Sequence, residues 1–257
     1  MKELEFAIET AKQAGSIIRR GLVLGGEKRW KPDNTPVTDT DEYINRIVSE
    51  AVREKFPGYS FIAEEGDKIE GAGEYAWICD PLDGTLPFSH GIPTSVFSLT
   101  LARSGQPILA VIYDPYINRL YHAEKDKGAY LNGKIIKVSQ KDSFPQGVFD
   151  IEKWDTPIHS DVGKVAGKLI YLKAKALVLH CINYGGMLVA DGTLLAAIGF
   201  GNFAFDSAAL KIIVEEAGGK VTDIEGRQQR WDGQINGVVA SNGKLHDKLI
   251  EIIKSTR

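Results

Sequence analysis

One short stretch limits what this chain can become: Trp77-Ile78-Cys79-Asp80-Pro81-Leu82-Asp83-Gly84-Thr85. Apolar residues carry the backbone to the end of a strand. Two acids, a proline and a glycine then follow within five residues. A core strand has no use for two negative charges at its end. A divalent-cation site does, because hard cations such as Mg2+ take carboxylate and carbonyl oxygens. Pro81 fixes φ and stiffens the turn, and Gly84 lets the backbone approach a ligand closely. Thr85 offers a hydroxyl and a backbone N–H at a helix start, where anions such as phosphate bind well. The stretch therefore predicts a strand-end site that takes a metal and a phosphate together.

The chain around it has 257 residues, 43% hydrophobic and 25% charged. That is enough for one large domain or two closely packed halves with a full core. A net charge of −3 gives no pull toward nucleic acid or an anionic membrane. No apolar run reaches the length of about 18 residues that a membrane span needs. The start, Met1-Lys2-Glu3-Leu4-Glu5, reads as a charged amphipathic helix rather than a signal peptide. Cys79 and Cys181, the only cysteines, lie in apolar segments and point to reduced thiols in a cytoplasmic protein.

Leu4, Ile8, Ala11, Gly15, Ile18 and Leu22 recur at helical spacing, and Gly25-Gly26 ends that helix. Residues 27–36, with Pro32 and Pro36, read as an exposed loop. Thr38 followed by Asp41 resembles a capping box that opens a second helix, closed by Pro57-Gly58. Residues 59–63 form a short strand running into Glu64-Glu65-Gly66. A β-rich block follows, with strands near 95–102, 107–113, 119–123, 128–131 and 135–138. Ser104-Gly105 and Asn132-Gly133 are its hairpin turns. From about residue 140, short apolar runs at 169–172, 176–179, 194–198, 220–222 and 238–240 alternate with helices near 182–190, 206–217 and 243–255. The expected architecture is an α+β half over 1–140 carrying the metal motif, packed on an α/β half over 141–257.

Acids recur at strand ends and helix starts: Asp39/Asp41, Glu64/Glu65, Asp80/Asp83 and Asp206. Each has a plain alternative: a helix N-terminus for Asp39 and Asp41, a solvated loop for the glutamates, an N-cap for Asp206. If four carboxylates converged within about 4–5 Å, each pair would repel by about 4 kcal/mol at an effective dielectric of about 20. Such a cluster needs protons or cations.

Asp80-Pro81-Leu82-Asp83-Gly84-Thr85 resembles the first signature of the inositol monophosphatase superfamily, Mg2+-dependent and lithium-sensitive phosphatases. Phe205-Asp206-Ser207-Ala208-Ala209 with Glu216-Ala217-Gly218-Gly219 resembles the second. Pro36-Val37-Thr38-Asp39-Thr40-Asp41, Phe61-Ile62-Ala63-Glu64-Glu65 and Asp126-Lys127-Gly128-Ala129-Tyr130 with Asn132-Gly133 agree in order. Only about 140–180 matches poorly. The resemblance implies a layered αβαβα sandwich, a homodimer, and hydrolysis of a small phosphate ester with two or three Mg2+ ions, Mn2+ substituting.

The resemblance also assigns roles. Glu65 is expected to bind metal and orient the attacking water. Asp80 and Asp83 are expected as metal ligands, with Leu82 lending its carbonyl and Asp206 binding a second ion beside the leaving group. Gly84 and Thr85 are expected to donate N–H groups to phosphate, the Thr85 hydroxyl to polarise the water, and Asp41 to support Thr85 or a third ion. Lys31 is expected in the loop that closes on the site, with Lys28 and Trp30 as rivals. His180 and Asn183, in the 180–184 stretch, are expected in the leaving-group pocket.

Two departures matter. Pro87 stands where family members often have Asn. Inositol-specific relatives carry an acid about seven residues before Asp206; the segment 198–203 here has none, and only Asn202 offers a polar side chain. The expected substrate is a myo-inositol or related sugar monophosphate. Histidinol phosphate is the alternative, since 208–219 and Ala240-Ser241-Asn242-Gly243 look like the histidinol-phosphatase branch. Fructose 1,6-bisphosphate and 3′-phosphoadenosine nucleotides follow. A catalytically silent metal or phosphate-metabolite binder is the competing class.

Overall fold

The computed structural model describes residues 2–24, 28–31, 36–66, 68–154 and 161–256. Gly25-Gly26 and Pro32 lie outside them. Helix α1 (Lys2–Leu24) buries Phe6, Ala7, Ala11, Ala14 and Ile18 along one face. Strand β1 (Lys28–Trp30) pairs antiparallel with β2 (Pro36–Thr38), so the expected loop over 27–36 is in part a ribbon. Helix α2 (Asp39–Lys55) begins at Thr38, whose backbone N–H donates to Asp41 Oδ2 at 2.9 Å. That is one arm of the capping box.

A seven-stranded sheet runs in the order β3 (Ser60–Ala63), β4 (Tyr75–Asp83), β5 (Val96–Arg103), β6 (Gln106–Asp114), β7 (Arg119–Glu124), β8 (Ala129–Leu131) and β9 (Lys134–Ile135). Only β3 and β4 pair in parallel; every later pair is antiparallel. Ser104-Gly105 and Asn132-Gly133 turn the hairpins with positive φ at both residues, matching the right-handed twist of the strands. The short helix α3 (Thr85–Ser89) follows β4 directly.

Both faces of this sheet are covered. Trp77, Cys79, Leu109 and Val111 pack with α1 and α2, while Ile78, Ala110 and Ile112 pack the other way. That second face meets α5 (Ile182–Ala190) and α6 (Ala208–Glu216). Beyond them lies a five-stranded sheet, ordered β11 (Lys175–Leu177), β10 (Val148–Lys153), β12 (Ala196–Phe200), β14 (Val238–Ser241) and β13 (Lys220–Thr222). Its outer face packs Phe149, Ile151, Ile198 and Phe200 against α4 (Val162–Tyr171) and α7 (His246–Lys254). The layers are thus helix, sheet, helix, sheet, helix.

Two readings of the second half change. Residues 169–172, expected as a strand, fall largely in α4, because Val165 and Leu169 are its buried i, i+4 stripe. Strand β10 was not anticipated, because Asp150 and Glu152 interrupt its short apolar run. Both acids are in fact buried. Cys79 and Cys181 are free and buried in different core layers. Among the described residues no helix is long and apolar enough to cross a membrane.

Candidate active site

Asp80 and Asp83 stand three positions apart, which in a regular strand would send them to opposite faces. The pairing with β5 shifts between them: Asp80 faces Ser98 and Asp83 faces Val96. One extra residue is therefore inserted as a bulge. Leu82 drops into the α1–α2 core, and both carboxylates turn toward the α5–α6 layer. Asp80 and Asp83 are only 1% and 7% exposed.

Parallel pairing supplies the next acid. Ala63 pairs with Cys79 and the Glu64 N–H donates to the Cys79 carbonyl, so Glu64 comes beside Asp80. Asp206 arrives from the connection between β12 and α6. Glu64, Asp80, Asp83 and Asp206 line one cavity of about 420 Å3, with Lys31, Leu82, Gly84 and Thr85. That volume suits a small metabolite.

Strand alternation separates the two glutamates. Glu64 lines the cavity, and Glu65, expected there as a metal ligand, does not. One step further along the chain, Glu65 points toward Lys31 and Asp41. Lys31 Nζ reaches Glu64 Oε1 at 2.8 Å and also contacts Glu65. Burial pulls the Lys31 ammonium down in pKa, but Glu64 and Glu65 outweigh it and hold it above its usual value. Trp30 joins Lys31 on the cavity wall. Lys28 instead turns to His90, 3.3 Å away.

Thr85 is held from two sides. Its hydroxyl lies 2.8 Å from Asp41 Oδ1 and 3.0 Å from the Leu82 carbonyl. Asp41 is fully buried behind Thr85; burial raises its pKa to about 6 against the bonds from Thr38 and Thr85. Gly84 adopts φ +89°, and a Cβ there would lie 3.0 Å from the Thr94 carbonyl and 3.1 Å from Cys181 Cβ. Only glycine meets both demands.

The 180–184 stretch divides. His180 lines the cavity. Asn183, expected in the pocket, is buried behind it: its backbone N–H donates to Asp83 Oδ2 at 2.6 Å and its amide to the Asp206 carbonyl at 2.8 Å. It steadies the two acids from the first turn of α5. The Cys181 thiol donates to the Asp83 carbonyl at 3.3 Å, and burial raises its pKa further, so it stays protonated.

Burial raises the pKa of Asp80, and Glu64, Asp83 and Asp206 raise it further. Asp206 is pushed up by burial, then by Glu64 and Asp83. Such mutual repulsion is what bound cations offset. Glu64, Asp80, Asp83 and Asp206 offer carboxylate oxygens to the cavity, the set suited to Mg2+ rather than to a thiolate-seeking metal. Among the described residues no three of these side chains already stand at a shared ion-binding distance; Lys31 holds Glu64 and the α5 amide holds Asp83.

The profile of the inositol monophosphatase family matches residues 2–257. The chain belongs to the inositol monophosphatase family. An inositol monophosphatase of Mesembryanthemum crystallinum is 32% identical, the match covering 98% of this chain and 95% of that protein. A histidinol-phosphatase of Chlorobaculum parvum is 33% identical over 98% and 96%. The structure of a Thermotoga maritima IMPase superimposes with a TM-score of 0.88 at 28% identity, covering 100% of this chain and 98% of that one. The layered architecture is that of the inositol monophosphatases.

Sequence reasoning missed Glu152, Lys153 and Trp154 on the far wall of this cavity. Glu152, Lys153, Trp154, Phe203 and Phe205 line it with His180. Phe203 and Phe205 stack with ring centroids 5.0 Å apart. The signal for Glu152 was an acid alternating with apolar residues in 148–153; it needed the strand to be recognised first.

Proposed function

We propose that the protein is a Mg2+-dependent phosphomonoesterase acting on a small phosphorylated polyol, with myo-inositol monophosphate as the first choice. The observation that carries this reading is the bulge that turns Asp80 and Asp83 to one cavity beside Glu64 and Asp206. In this reading Glu64, Asp80, Asp83, Asp206 and the Leu82 carbonyl hold two or three Mg2+ ions, with Mn2+ as a substitute. When bound, the ions neutralise the phosphate and acidify a water for in-line attack.

The chain's own groups do the rest. Thr85, aligned by Asp41, holds its hydroxyl toward the water together with Glu64, the role first expected of Glu65. Gly84 and Thr85 present backbone N–H groups to the phosphate oxygens. Asp206 stands by the leaving-group oxygen, and Asn183 fixes the position of Asp83 and Asp206. Lys31 supplies a counter-charge at the rim. No cysteine or serine nucleophile is required, because transfer goes to water and the work is positioning.

Histidinol phosphate is the second reading, favoured by the 33% identical histidinol-phosphatase. By resemblance we further propose lithium sensitivity, a homodimer, and two halves over 1–140 and 141–257. We place the protein in the cytoplasm on the strength of its two free, buried cysteines. The test is phosphate release with Mg2+ from inositol 1-phosphate, histidinol phosphate, fructose 1,6-bisphosphate and a 3′,5′-bisphosphonucleotide. Inositol 1-phosphate is expected to give the highest kcat/KM. No release from any of the four would overturn the enzyme reading in favour of a silent binder.

A further inference from the structure

We propose that Glu152 selects the leaving group, binding a hydroxyl at the far end of the cavity, and that Asp150 is its positioning residue. This rests on the phosphomonoesterase reading above and names the group that makes the site choosy.

The placement follows from strand geometry. Phe149 and Ile151 point into the outer core, so Asp150 and Glu152 point the other way, toward α5. Both are buried, at 0% and 2% exposure. Buried carboxylates need partners. The Leu179 N–H donates to Asp150 Oδ1 at 3.1 Å, and the Cys181 N–H to Glu152 Oε1 at 2.8 Å. Burial raises the pKa of Glu152, and the neighbouring Asp150 raises it further. Helix α5 presses close on Asp150: a Cβ at Gly185 would lie 2.3 Å from its Oδ2. Asp150 is therefore locked behind Glu152, and Glu152 reaches the cavity wall.

Among the described residues no other strand offers an acid there. Gly199 on β12 is in register with Glu152, at the position seven before Asp206. A Cβ at Gly199 would lie 3.2 Å from the Trp154 ring, and one at Gly201 2.9 Å from it. The indole thus covers both glycines and takes the space a β12 side chain would fill. Asn202, the polar residue of that segment, is not on the cavity wall. Among the described residues the far end holds one buried carboxyl, Glu152, beside the aromatic side chains of Trp154 and Phe205. That combination fits a neutral, polyhydroxylated ring: a carboxyl that hydrogen-bonds a hydroxyl, and aromatic faces against C–H groups. A helix-capping role alone would account for the Cys181 bond but not for the place on the wall.

The test uses the full-length protein with Mg2+, comparing Glu152→Gln with wild type on two substrates. One is myo-inositol 1-phosphate; the other is p-nitrophenyl phosphate, whose leaving group carries no hydroxyl. Gln keeps an acceptor for the Cys181 N–H, so folding is expected to survive. The ratio of kcat/KM for inositol 1-phosphate over p-nitrophenyl phosphate is expected to fall about 10- to 100-fold, chiefly through KM. Asp150→Asn is expected to lower the same ratio by roughly 3- to 10-fold. An equal loss on both substrates, or none on either, overturns the proposal. Should Glu152→Gln fail to fold, Glu152→Asp withdraws the acid by one methylene and reads the same ratio. If the wild type hydrolyses neither substrate, the inositol-phosphate reading fails and takes this one with it.

Discussion

At one end of the cavity, Asp80, Leu82, Asp83, Gly84 and Thr85 arrive in a single six-residue run, fixed by a bulge and a left-handed glycine. At the other end, Glu152, Trp154, His180, Phe203 and Phe205 come from three separate connections, and Phe203 is 40% exposed. The first end is over-determined: its acids are buried, mutually repelling and held by α5, Thr85 and Lys31. The second is an assembly of side chains drawn from segments far apart in sequence, with no shared turn to fix them. A reaction common to many substrates needs the first kind of construction. A choice among substrates needs the second.

The comparison breaks most visibly at Asp80. Asp80→Asn is expected to lower kcat by roughly 10^3-fold. It is also expected to raise metal-free stability by about 1–2 kcal/mol, because a buried repulsion is removed while Leu82 keeps its acceptor at position 80. Phosphate release and thermal melting in chelator read the two effects. Full turnover, or a lower melting temperature, would contradict the placement of Asp80.

The next test separates neighbours. Glu64→Gln is expected to cost roughly 10^2-fold in kcat and Glu65→Gln less than about 5-fold, since only Glu64 lies on the cavity wall. A reversed order would restore Glu65 as the ligand.

Much of this contrast was legible in the amino-acid sequence, and unevenly so. The 77–85 run announced itself because its chemistry is local: strand, acids, proline and glycine are consecutive. The Thr38–Asp41 cap and the Asn132-Gly133 turn were readable for the same reason. Glu64 against Glu65 was not, because the choice depends on the parallel register of β3 on β4. Nor was Asn183, whose bonds cross to Asp83, 100 residues earlier. Strand β10 hid because its acids accept from amides just before α5, partners far off in sequence.

Two stability effects sharpen the picture. Gly84→Ala is expected to destabilise by about 2–4 kcal/mol, from the left-handed φ and from crowding against Thr94 and Cys181; urea unfolding measures it. A loss below about 1 kcal/mol would mean that the turn is looser than described. Far from the cavity, His246 is buried between Thr222 and Ser241, which lie 2.9 Å and 2.8 Å from its ring nitrogens. Burial lowers its pKa from 6.5 to about 4, with Lys220 adding and Asp247 opposing. The folded state thus favours the neutral ring. That stability is present above pH 6.5 and is lost as pH falls toward 4, about 3 kcal/mol in all. His246→Gln is expected to flatten this part of the stability–pH curve.

The most direct measurement follows phosphate release from myo-inositol 1-phosphate by the wild-type protein through chelation and restoration of Mg2+. Release is expected to stop when EDTA is in excess and to return when Mg2+ exceeds the chelator. Release that continues undiminished in EDTA would contradict the claim that the Asp80–Thr85 end of the cavity works through a bound cation.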